Sequence, residues 1–102
     1  MVAIWELTPL ELVLSGTDLK MHRRFMAIGI GDDQQTTLQL LGPPNYTERG
    51  LLYPLRGLGI RRIIGEIKSA TSYSVWYNGD DIIYVVGYDQ KNKVAVTICG
   101  ST

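Results

Sequence analysis

SYSVWYNGDDIIYVVGYDQKNKVAVTIC, residues 72–99, carries the fold of this chain. Three runs, Ser72–Asn78, Asp81–Asp89 and Lys93–Cys99, are rich in aromatic and β-branched residues, the side chains that pack best on a pleated surface. Asn78-Gly79-Asp80 and Asp89 to Asn92 separate them with the residues that tight hairpin turns demand. The first run alternates Tyr73, Val75 and Tyr77 against Ser72, Ser74 and Trp76, and the third alternates Val94, Val96 and Ile98 against Ala95, Thr97 and Cys99. The middle run is apolar on both faces, as a central strand is. An antiparallel meander follows, and its apolar face needs cover.

Upstream segments supply that cover. In TPLELVLSG, residues 8–16, Thr8 stands at an N-cap, Pro9 at the first helical position and Glu11 three residues after the cap, with Gly16 as the stop. A second helix opens at Thr17 or Asp18 and runs through LKMHRRFMA. A third lies inside GDDQQTTLQLLGPPN, residues 31–45: Asp32 caps it, Gln35 completes the capping box, and Gly42 with Pro43 and Pro44 ends it. From Asn45 to Gly59 the chain reads as a long irregular connection rich in Gly, Pro and Tyr.

GIRRIIGEIKSA, residues 59–70, is ambiguous. Ile60, Ile63, Ile64 and Ile67 match the spacing of one helical face, whereas the β-branched residues and Gly65 disfavour a helix, the glycine by about 1 kcal/mol relative to Ala. A strand with a bulge at Gly65 is the alternative. The expected architecture is therefore α+β: short N-terminal helices on one face of an antiparallel three- to four-stranded meander, in one domain spanning residues 1–102.

Ten basic and ten acidic side chains give a net charge of zero, which argues against nucleic acid as the main partner. No apolar run reaches the roughly 18 residues of a membrane span. The single cysteine, Cys99, allows no intrachain disulfide and no cysteine-based zinc site, and it reads as a buried small hydrophobe. With no basic n-region at the N-terminus, the expected compartment is the cytoplasm.

Few residues point to chemistry. His22 is the only histidine, and Lys20, Arg23 and Arg24 around it suggest a solvated helix-surface residue. Asp32-Asp33 and Asp80-Asp81 are explained by capping and turn formation, without calcium-loop spacing. The glycine pairs at 29–31 and 57–59 extend to no phosphate-binding motif. No cofactor is implied, and the expectation is a non-enzymatic protein. Two features remain. Tyr73, Trp76, Tyr77, Tyr84 and Tyr88 exceed what a small sheet covered on one side can bury, so they are the expected contact surface for a protein partner or a second copy. Arg56, Arg61, Arg62 and Lys68, interleaved with Leu and Ile, are the candidate anion-binding group of an alternative reading. That alternative is a small-molecule or anion-binding protein, an enzyme among the options, using a pocket between helices and sheet. Attachment to acidic lipids through RGLGIRRIIGEIK is a third reading, weakened by Glu66 and the zero net charge.

FMAIGIGDDQQTTLQLLGPPN followed by the three-strand run resembles the SmpA/OmlA (BamE-like) fold family. The matching positions are Ile28, Gly29 or Gly31, Leu38, Leu41, Gly42, Pro44, Trp76 and Tyr77. The resemblance implies a helix–helix layer against an antiparallel sheet and a non-catalytic role in protein binding or assembly. The family's envelope members carry a signal peptide and a lipidated cysteine near the N-terminus. This chain has neither pattern, and residues 45–70 are longer than the family's, so the architecture is what carries over.

Overall fold

A computed structural model of the chain describes residues 19–50, 59–79 and 82–101. Among the described residues two helices come first, α1 (Leu19–Met26) and α2 (Gln34–Leu41). Five strands follow: β1 (Tyr46–Arg49), β2 (Gly59–Gly65), β3 (Ser72–Asn78), β4 (Ile82–Tyr88) and β5 (Val94–Ser101). A single 3-10 turn, Ile67–Ser69, links β2 to β3. The strands form one antiparallel sheet in the order β1-β3-β4-β5-β2. This is the expected α+β class with two edge strands added to the meander. The helix expected over residues 8–16, with Asp80, Asp81 and Arg56, lies outside the described residues.

The meander falls where the alternation puts it, with β4 at the centre and Trp76 opposite Tyr84 in the β3–β4 register. On one face Trp76, Ile82, Tyr84, Val86, Tyr88, Val94 and Cys99 pack with Phe25 and Ile28 from the helical layer. Leu38, Leu40 and Leu41 of α2 close over the same cluster. Val94 departs from the expected alternation. A register shift at Gly87/Tyr88 moves it to this face, while Val96 and Ile98 stay on the other.

The opposite face is also core. Tyr73, Val75, Val85, Val96 and Ile98 are fully buried there, with Tyr46, Ile67, Ala70 and Ile83 packed against them. Gly87 permits the close approach of the 3-10 turn: a Cβ at that position would sit 2.8 Å from the Ala70 Cβ and 2.6 Å from Val96 Cγ1. The sheet is thus apolar on both sides rather than on one.

Helix α2 ends as its sequence demands. Gly42 takes φ +78°, ψ −169° and donates its N–H to Leu38 O at 2.8 Å. Its start differs by one residue from the expectation. Asp33 holds the cap position without a side-chain capping bond and pairs instead with Lys93. Asp32 accepts the Gly29 N–H at 2.8 Å and so shapes the turn before the helix. The stretch expected to be an irregular connection contains β1, which exists because Tyr46–Arg49 pairs with Ser72–Val75.

Residues 59–65 are strand. The bulge sits at Arg61, between the Ile60 and Arg62 pairings with β5, and not at Gly65. Gly65 instead adopts φ +95°, and Ala95 O would lie 2.1 Å from a Cβ there.

Candidate interaction surface

Four of the five aromatics expected on a contact surface are core. Tyr73, Trp76, Tyr84 and Tyr88 are at most 1 % exposed. The count that looked excessive for a one-sided sheet is absorbed by a two-sided one, and the polar tips find places inside. The Tyr73 hydroxyl donates to Glu48 Oε2 at 3.1 Å, and the Trp76 indole N–H donates to Gly42 O at 3.1 Å. Trp76 thereby ties the C-terminus of α2 to the sheet. Burial pushes the Tyr88 hydroxyl above its ordinary value. Ser74, bonded to Thr47 at 3.0 Å, pulls it partly back but lies outside hydrogen-bond geometry with it.

Tyr77 alone of the five faces solvent, 46 % exposed, with its ring edge-on to Tyr46 at 6.3 Å. Burial pushes the Tyr46 hydroxyl up to about 12, and the neighbouring Tyr77 adds to the shift. One exposed tyrosine is not an aromatic docking face.

His22 is buried, not solvated. It lies three residues before Phe25 on the inner face of α1, so the cationic neighbours point elsewhere. Its Nδ1 is 3.0 Å from the Tyr84 hydroxyl, which also accepts from Asn78 Nδ2 at 3.0 Å. Phe25 stacks on the Tyr84 ring at 4.4 Å. The Tyr84 oxygen accepts from Asn78, and in its contact with His22 the hydrogen comes from the tyrosine hydroxyl or from the imidazole Nδ1–H according to the tautomer. The group is a structural polar link between helix and sheet. Cys99 is buried, as expected.

The cationic residues that are described, Arg61, Arg62 and Lys68, form no closed site. Arg61 donates from Nε to Ser101 Oγ at 3.2 Å, Arg62 is half-buried, and Lys68 pairs with Glu66 at 3.4 Å in full solvent. The helix–sheet space that the pocket reading required is filled by Trp76, Tyr84, Tyr88 and Phe25. An open polar cleft of about 270 Å³ occurs elsewhere, lined by Arg49, Thr71, Ser72, Asp89, Gln90 and Asn92, and it includes none of the expected cations. Among the described residues, no three His, Cys, Asp or Glu side chains are grouped to hold a metal, and no helix is long and apolar enough to cross a membrane.

The sequence marked residues 59–70 as a helical face or a bulged strand, and RGLGIRRIIGEIK as a lipid-attachment segment, but not as a protein-contact rim at β2. Ile30, Ile60, Ile63 and Ile64 retain 49, 42, 43 and 40 % of their surface. Ile60 and Ile63 share the face that carries Ile98, Ile64 lies on the other, and Ile30 sits beside Gly65. Among the described residues β2 pairs only with β5, so its outer edge is open. An exposed apolar edge strand is a ready template for another chain.

The molecule is thus an α+β protein with a sheet buried on both faces and an apolar edge strand. The chain matches no protein-family model, no curated protein and no solved structure.

Proposed function

We propose that the protein is a non-enzymatic module that binds another protein or its own copy, and that the contact surface is the β2 edge rather than an aromatic face. The observation that carries this is the set of three isoleucines on one edge strand, each about two-fifths exposed. Covering them removes apolar surface from water at roughly 25 cal/mol per Å², and main-chain pairing along the strand sets the orientation. The assembly role implied by the SmpA/OmlA (BamE-like) resemblance belongs to the same reading. A cytoplasmic setting fits Cys99, held as a buried thiol, the state a reducing compartment preserves. The anion-binding alternative has less support, because Arg61, Arg62 and Lys68 are spread along an edge strand and the turn after it.

The test compares wild type with an Ile63→Lys/Ile64→Lys variant. Circular dichroism checks the fold, sedimentation velocity reads self-association, and quantitative affinity capture reads foreign partners. The wild type is expected to form a complex, of itself or with a captured protein, that the variant loses while staying folded. A wild type that stays monomeric and captures nothing beyond what the variant captures refutes the reading.

A further inference from the structure

We infer that the occupant of the β2 edge is a second copy of the same strand, paired antiparallel about a two-fold axis at Ile64. This deepens the proposed function and rests on it. The argument begins with the faces. A two-fold axis normal to the sheet keeps each face continuous, so residues opposite each other share a face and the centre falls on a residue. Four residues of β2 lie beyond the bulge at Arg61 and can be the centre: Arg62, Ile63, Ile64 and Gly65, the last at φ +95°.

Their side-chain consequences differ. Centring on Arg62 sets Arg62 against Arg62, which is repulsive. Centring on Ile63 sets it against itself but leaves Arg62 opposite Ile64, with no charge matched. Centring on Ile64 sets Ile64 on Ile64 and places Arg62 opposite Glu66 twice, once on each side of the axis. Glu66 is available for this geometry, because its backbone stays extended (φ −121°, ψ 119°) and its N–H still bonds Ala95 O at 3.1 Å. Its present partner, Lys68, is an exposed ion pair of little worth.

The same register puts the partner's Ile63 opposite Gly65, beside Ile30. Three of the four exposed isoleucines, Ile30, Ile63 and Ile64, are then covered by one operation. The zero net charge adds no overall repulsion between copies. The bulge and paired arginines at the N-terminal half of β2 are devices that discourage indiscriminate edge pairing. Here they also select the register, since centring on Arg62 or Ile63 leaves an arginine against an arginine or an isoleucine, and centring on Gly65 sets Arg62 against Lys68. The product is a continuous ten-stranded sheet, twice the five strands of one chain.

The experiment uses the full chain. Sedimentation equilibrium over a concentration series is expected to show a reversible dimer. Arg62→Glu and Glu66→Arg are each expected to weaken it by about tenfold, through two like-charge pairs, and the Arg62→Glu/Glu66→Arg double variant to restore it. In a Cys99→Ser background, Ile64→Cys is expected to cross-link to itself under mild oxidation, since Cα atoms directly opposite lie about 4.5–5.5 Å apart, within disulfide reach. Ile60→Cys, placed away from the axis, is expected not to. A monomer at the highest attainable concentration overturns the second-copy inference. If that monomer still captures a protein through Ile63 and Ile64, the proposed function stands without it; if it does not, both fall. A dimer indifferent to the charge variants and lacking the Ile64→Cys cross-link overturns the inference as well.

Discussion

Replacing Tyr84 by Phe removes one oxygen from the core and leaves the ring in place. The ring is fully buried and stacked on Phe25 at 4.4 Å, so its apolar packing survives the change. What is lost is the hydroxyl that meets His22 Nδ1 and Asn78 Nδ2, each at 3.0 Å. At about 1 kcal/mol for each buried hydrogen bond, the variant should be less stable by about 2 kcal/mol. In a domain of this size that corresponds to a fall in Tm of roughly 8–16 °C. Urea unfolding followed by tryptophan fluorescence reads the difference directly. Tyr77→Phe, on an exposed ring, serves as the control and should stay within about 0.5 kcal/mol of wild type. A double-mutant cycle with His22→Phe should return a coupling of about 1 kcal/mol, because both single changes disrupt one interaction. A Tyr84→Phe protein as stable as wild type would refute the link from Asn78 through Tyr84 to His22.

Two glycines separate backbone strain from collision. Gly42→Ala meets no atom within 4 Å but forces an alanine to φ +78°, ψ −169°, so it should cost about 1–3 kcal/mol in urea unfolding. Gly65→Ala adds a contact of 2.1 Å with Ala95 O to φ +95°, so it should cost more and release β2 from β5, read as lost amide protection on residues 60–64. Trp76→Phe deletes the indole N–H bond to Gly42 O and leaves a void, so α2 should lose amide protection before the β3–β4 pairing does. Stability should also fall on the alkaline side. Tyr46 ionises at about 12 in the fold against 10.0 ordinarily, and Tyr88 is raised too. The unfolded chain therefore gives up these protons first, so their contribution is complete below about pH 10 and is lost progressively between about 10 and 12. Urea midpoints at rising pH, beside a tyrosinate absorbance titration, check the sign; a midpoint that rises over that interval contradicts it.

The centre of the sheet was legible because three local signals coincided: period-two alternation, β-branched and aromatic composition, and turn residues between the runs. The end of α2 was legible for a similar reason, with Gly42 and two prolines agreeing. The edges were not. Tyr46–Arg49 is a short polar segment with no strand signature, and it is a strand only because β3 offers an edge to pair with. In β2 the bulge at Arg61 shifts the phase, so Ile60 and Ile63 share a face although three residues apart. That spacing imitates a helical stripe. His22 misled through its sequence neighbours, since what decides its burial is Phe25 one turn away and Tyr84 far along the chain. The aromatic count misled because the sequence did not show that the far face of the sheet would also be buried.

That last correction moves the site. A sheet covered on one side can offer its other face to a partner, and the five aromatics were assigned to that face. A sheet buried on both sides has only edges to offer. Of the two edges among the described residues, β1 is four residues long, polar, and has Glu48 engaged by Tyr73. Short charged edges of that kind resist pairing. β2 is seven residues long and holds three of the exposed isoleucines. The difference lies in what each would bury on pairing: Thr47, Glu48 and Arg49 on one side, Ile60, Ile63 and Ile64 on the other. Apolar burial favours the second, and the Arg62–Glu66 spacing gives it a register that the first lacks.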